Sequence, residues 1–214
     1  MPQGRTAPVL LVDIPHGKGK MRSANRYRLH HPDFEVRMAR VQPAPEPLVP
    51  AAREELDRQL AAHGRLTNLK RTLAHSPAAL VALMQWYPLR DEVARFLGER
   101  PTTLFAHAVS TETECLICST FFRRILIEAG NDPDHLRLDD REAALVAYGA
   151  ALARDPRQVP DTVFQRVAAF LESPQMVALT ALGGMMIATN VVVNALELDL
   201  DEYLWAYRRP GSMR

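Results

Sequence analysis

From residue 51 onward, apolar side chains recur at spacings of three and four with cap residues between them, which predicts helices throughout. Ala51 to His63 reads as the first helix, closed by Gly64. Ser76-Pro77, a cap followed by a first-turn proline, opens Ala78 to Trp86, and Pro88 interrupts the pattern before Asp91 to Leu97. Thr102 to Val109 forms the next segment, followed by a helix from about residue 111 to Ala129 that Gly130 stops. Asp139 or Asp140 caps a helix to Arg154, and Pro160 opens another to Glu172. Ser173-Pro174 starts a long one through about Leu196. The β-branched run Val191 to Val193 lies inside a helical pattern, and no alternating run with hairpin turns accompanies it. The predicted class is all-α, a multi-helical bundle.

The chain changes character near residue 50. Eight of the sixteen prolines lie in residues 1–50, densest over Pro43 to Pro50, so 1–50 reads as an extended N-terminal arm and 51–214 as the helical domain. One face of the last long helix is small: Ala178, Ala181, Gly183, Gly184 and Ala188. Small residues let helices approach closely, so Gly183-Gly184 is expected to abut a second helix, in the core or across a subunit interface. Met185 and Met186 read as core filler.

Composition narrows the classes. At 47% hydrophobic and 24% charged residues the chain is ordinary globular material, and a net charge of +1 gives no global field for nucleic acid. Residues 1–50 carry eight Lys/Arg against four Asp/Glu, concentrated in Lys18 to Arg28 around Tyr27, a run read as solvated or packed on a partner subunit rather than as a nucleic-acid site. Gly17-Lys-Gly-Lys20 lacks the spacing of a phosphate loop. The apolar stretch Pro8 to Val12 is cut short by Asp13, and no run of about 18 apolar residues stands out, so a soluble cytoplasmic protein without a membrane partner is expected.

The candidate chemistry lies in Cys115-Leu-Ile-Cys118, which contains both cysteines of the chain. Three residues apart on a helix, the side chains come within about 5–6 Å, inside the window for a disulfide. Thr111 and Glu114 have the spacing of a capping box, which would place Cys115 in the first helical turn, where unpaired N–H groups and the helix dipole favour thiolate. A reducing cytosol keeps such a pair as a dithiol at rest. Two inert core thiols are the competing reading, because the surrounding helix is mostly apolar. Zinc is disfavoured: there is no second C-x-x-C, and the paired His30-His31 stand far away. No metal or organic cofactor is expected.

Residues 66 to 200 resemble the carboxymuconolactone decarboxylase and alkylhydroperoxidase D-like superfamily. The resemblance rests on Asn68, His75-Ser-Pro77, Glu112-x-x-Cys115-x-x-Cys118, Asp139-Asp-Arg-Glu-Ala-Ala144 and Thr189-Asn190-x-x-x-Asn194-Ala-Leu196. It implies a small all-helical protein that assembles as a homo-oligomer, with Cys118 as the peroxidatic thiol and Cys115 as the resolving one. Redox members usually carry a histidine four residues after the second cysteine and a glutamate twelve before the first. Here those positions are Phe122 and Thr103. Glu112 and His107 are the substitute acid–base candidates, each with a plainer alternative: helix-start residue for Glu112, hydrogen-bonded core histidine for His107. Arg123 and Arg124 could place a positive charge near a thiolate.

Three functions follow for testing. The first is a thiol-dependent oxidoreductase with peroxiredoxin-like alkylhydroperoxidase activity, acting on a small hydroperoxide or disulfide with an unidentified thiol reductant, weak for want of the relay histidine. The second is a non-catalytic oligomeric scaffold with Phe122 filling the old pocket. The third is a lyase of the decarboxylase branch, against which the cysteine pair argues.

Overall fold

The computed structural model describes residues 39–209; the basic run 18–28, Gly17 to Lys20 and His30-His31 lie outside them. Among the described residues the chain is all-helical: α1 (Pro50–His63), α2 (Asn68–Leu73), α3 (Pro77–Met84), α4 (Trp86–Leu97), α5 (Glu99–Glu112), α6 (Leu116–Glu128), α7 (Asp140–Arg154), α8 (Asp161–Ala168) and α9 (Ser173–Ala195), then a 3₁₀ turn (Glu202–Tyr207).

α5 is the central helix. It packs most extensively on α7 and α6, and also meets α4 and α9. Thr102 to Ala106 and Ala108 to Ser110 are buried along it. Phe105 is fully buried, and the crossing with α7 is close because Gly149 lies under it: a Cβ at Gly149 would come 2.9 Å from the Phe105 carbonyl oxygen. Gly183 of α9 serves the same contact, its missing Cβ leaving room for Leu152 at 3.0 Å and Phe105 at 3.2 Å. Gly184 faces open space, so of the glycine pair only the first abuts neighbouring helices. Leu179 and Leu182 of α9 are wholly buried, each worth about 1.5–3 kcal/mol of apolar transfer.

α9 is long and apolar enough, by length and composition, to cross a membrane, unlike the shorter apolar runs expected from the sequence. Half of its apolar window is buried inside the protein. Met186 is buried there and Met185 half-buried.

The Pro-rich segment 39–49 lies along the helices. Arg40 N donates to Leu196 O at 2.9 Å and Ala44 N to Arg71 O at 3.1 Å, while Ala44 and Leu48 pack on a small core of Ala52, Leu56, Leu73 and Leu80.

Several boundaries differ from the periodic reading. Pro88 falls at the third residue of α4, where a missing N–H breaks no intrahelical bond, so it sits inside the helix start instead of interrupting it. α5 begins at Glu99 and runs to Glu112, and the cysteine helix begins only at Leu116. Ser110 to Glu112 therefore close α5 rather than cap α6, because Ser110 is fully buried and continues the apolar face of Phe105 and Val109. α8 stops at Ala168, and Glu172, not Ser173, caps α9 through a reciprocal pair with Gln175. α2 and the 3₁₀ turn are too short to show a period.

Candidate active site

The turn between α5 and α6 determines where the thiols go. Glu114 takes a left-handed conformation, with φ of 52°, and Cys115 N donates to Ser110 O at 3.0 Å. Two asparagines on α9 brace this turn from outside: Asn190 Nδ2 donates to Thr113 Oγ1 at 2.7 Å and Asn194 Nδ2 to Thr113 O at 2.9 Å. Cys115 is thereby the N-cap of α6, not a first-turn residue.

As N-cap its sulfur accepts from Cys118 N at 3.4 Å. The Cys118 thiol and the N–H groups of Cys118 and Ile117 together hold Cys115 below the ordinary thiol value, against the effect of burial. Cys118 moves the opposite way, well up, first because its S–H is committed to Cys115 and then through burial. Of the two thiols, Cys115 is therefore the one that gives up its proton more readily. Both cysteines are free thiols.

Access divides them too. Cys115 is fully enclosed, whereas Cys118 forms part of the wall of a cavity of about 70 Å³. Ile117, Phe121 and Phe122 share the Cys118 face of α6, and Trp86, Tyr87 and Tyr203 close the cavity from α4 and the 3₁₀ turn. Phe122 is buried with its ring edge-to-face against Phe121 at 5.2 Å and Trp86 at 6.3 Å. The position that carries an imidazole in the redox pattern is here an apolar wall. Thr103 is buried too, its hydroxyl donating to Glu99 O at 2.8 Å.

Lys70 is the polar feature the sequence reading missed. It is 3% exposed and lines the same cavity as Cys118, with Nζ 3.5 Å from Arg65 O and 5.0 Å from the Tyr87 ring centroid. Burial lowers its pKa to about 8, with the Glu55 carboxylate pulling the other way. Asp201 lines the cavity as well. Its Oδ1 accepts from Asn68 N at 2.8 Å, and burial raises its carboxyl above the usual range. No sequence motif marked Lys70, Tyr87 or Tyr203; only their convergence in space does.

The two substitute acid–base candidates lie elsewhere. Glu112, at the end of α5, accepts from Arg154 Nε at 2.8 Å and ties α5 to α7. His107 lines a separate groove of about 560 Å³ with Arg123 and Asp134. Burial, and then Arg123, lower its pKa to about 4, so its imidazole is neutral. Arg123 pairs with Asp134 at 2.9 Å. Arg124 instead stands by the Phe121 and Tyr203 rings, 5.5 Å from each centroid. No group of three or more His, Cys, Asp or Glu side chains suited to a metal ion occurs among the described residues.

Three solved structures share this architecture. The chain is similar to the debrominase Bmp8 in complex with 2,3,4-tribromopyrrole, at 16% identity and a TM-score of 0.65, over 78% of this chain and 94% of that one. It is similar to a peroxidase-related protein from Silicibacter sp. TM1040, at 17% identity and 0.64, over 82% and 100%. It is also similar to an alkylhydroperoxidase AhpD core protein from Ralstonia eutropha JMP134, at 15% identity and 0.60, over 77% and 95%. The protein thus has the alkylhydroperoxidase D-like all-helical fold. No family model matches the sequence, and no curated protein does.

Proposed function

We propose that this protein is a thiol-dependent oxidoreductase in which Cys118 attacks a small hydroperoxide and Cys115 resolves the product. The observation that carries this reading is the division of labour within the pair: the sulfur that meets the cavity is backed by a second sulfur held as an N-cap acceptor. Drug-sized ligands occupy about 300–1,000 Å³, so an inner space of about 70 Å³ suits the head of a small molecule.

With Phe122 at the relay position, the proton on Cys118 has a nearer acceptor. Cys115 thiolate takes it, leaving Cys118 as the thiolate at the cavity wall. Attack on the outer peroxide oxygen breaks the O–O bond and forms Cys118 sulfenic acid and an alkoxide. The alkoxide recovers the proton from Cys115 and leaves as the alcohol. Cys115 thiolate then attacks the Cys118 sulfur, forming the disulfide and expelling hydroxide, which solvent protonates to water. An external thiol reductant returns two electrons.

Peroxide consumption by the wild type, Cys115→Ser and Cys118→Ser tests this. Cys118→Ser should lose the first turnover, and Cys115→Ser should keep one turnover and accumulate sulfenic acid. Equal rates in all three would reject the reading and favour a non-catalytic scaffold, which the apolar seat of Phe122 supports. The outer face of α9, with Val177 and Val191 exposed, supports self-association as part of the same reading.

A further inference from the structure

Beside the Cys118 cavity lies a wider space of about 310 Å³: Thr67, Lys70, Tyr87, Phe121 and Tyr203 line both. This vestibule adds Arg65, Arg124 and His63, and among the described residues no carboxylate lines it. The Arg65 guanidinium lies 3.9 Å from the Tyr203 ring centroid. A guanidinium stacked on a ring is pre-organised and keeps its N–H edge for a carboxylate or similar anion. Arg124 stands on the other side of Tyr203 and shares its charge with Glu128 at 3.0 Å. Lys70 lies at the floor with a single long contact to a carbonyl.

The opposing charges are few. Glu55 faces Lys70, Asp91 acts on His63, and Asp201, in the inner cavity, interacts with Arg65 but is biased toward its neutral form by burial. His63 stacks on Tyr87 at 3.6 Å and is biased toward neutral by burial and by Lys70. The balance in the vestibule is positive, against aromatic walls.

We infer that the vestibule is an anion-binding subsite of the Cys118 cavity. On the thiol-oxidoreductase reading above, its substrate is a small apolar or aromatic molecule whose carboxylate or comparable anion is held by Arg65, Lys70 and Arg124 while its reducible bond lies at Cys118. A charge-assisted contact of this kind is retained near a low-dielectric wall and attracts anions from solution.

Two aromatic disulfides serve as probes: the dianionic 5,5′-dithiobis(2-nitrobenzoate) and the neutral 4,4′-dithiodipyridine. Cys118 displaces one aryl thiolate to form a mixed disulfide and Cys115 displaces the second, so each protein disulfide releases two aryl thiol equivalents: thionitrobenzoate with its proton lost to solvent from the first probe, and neutral thiopyridone carrying that proton on its ring nitrogen from the second. The ratio of the two rates, divided by the same ratio for a free small thiol, removes intrinsic reactivity. That normalised preference should favour the anionic probe by about 10-fold or more, and decline as ionic strength rises from about 10 mM to about 1 M. Arg65→Glu should abolish it, and Arg65→Lys, which keeps the charge but loses the stacked fork, should retain only part of it. A preference equal to that of the free thiol, independent of salt, overturns the inference while leaving the thiol chemistry standing.

Thiols inert to both probes overturn the oxidoreductase reading instead. The subsite is then judged by calorimetry on Cys118→Ser with 4-nitrobenzoate and the neutral 4-nitrobenzyl alcohol. Saturable binding of the anion alone, lost in Arg65→Glu, upholds the subsite; absence of anion binding overturns it.

Discussion

Asn190 of α9 donates to the hydroxyl of Thr113 at 2.7 Å, a bond spanning 77 residues that pins the turn ahead of Cys115. Asn190 is completely buried, and its Oδ1 has no hydrogen-bond partner among the described residues. The amide donor is the engaged half of this buried side chain, and what it holds is the turn. Asn190→Ala should cost about 1–3 kcal/mol of stability, read from urea unfolding. It should also loosen the N-cap geometry, so that thiol reactivity with a neutral alkylating agent becomes less selective between the two cysteines.

The seat of Cys115 behind Cys118 directs oxidation inward. Mild peroxide should remove two hydrogens from a single tryptic peptide containing both cysteines, with no covalent dimer on a non-reducing gel. Intermolecular dimers alone would show that the pair cannot close.

Phe122→His places an imidazole in the aromatic wall beside Cys118. Positioned acid–base groups contribute about 10²–10⁴-fold, so peroxide turnover should rise by at least tenfold in a folded variant. Glu112→Gln is the companion control. Its carboxylate is committed to Arg154 on the protein surface, a kind of pair worth about 0–1 kcal/mol, so turnover should not change.

His107 should make the protein less stable in mild acid. Its pKa is lowered in the folded state to about 4 from an ordinary 6.5, so between those values the unfolded chain binds the extra proton. Stability contributed by the neutral ring is therefore fully present above about 6.5 and is lost as pH falls toward about 4. His63 shifts in the same direction, so the measurement is comparative. Urea midpoints of His107→Gln should vary less over this window than those of the wild type.

The proposed self-association through α9 predicts that Val191→Arg lowers the oligomeric mass measured by light scattering and leaves the helical circular dichroism unchanged. Val191 is 59% exposed, so the charge costs the protomer little.

The all-helical class, the long last helix and the closeness of the two thiols were legible in the sequence, because each depends on spacing along the chain. A period of three and four places apolar residues on one face whatever that face meets. Asp139 and Glu142 form a capping box within four residues, so that helix start was local information too. The start of α6 was not. Thr111 and Glu114 have capping-box spacing, yet burial of Ser110 and the grip of Asn190 and Asn194 on Thr113 carried α5 through that signal and left Cys115 as the cap. The same limit hid the cavity. Lys70, Tyr87 and Tyr203 come from α2, α4 and a 3₁₀ turn separated by up to 133 residues, and a buried amine looks like any surface lysine until its neighbours are known. Chain spacing determined which thiols could meet each other; only tertiary packing decided which of them lines the cavity, because exposure and local charge depend on helices far away in the sequence.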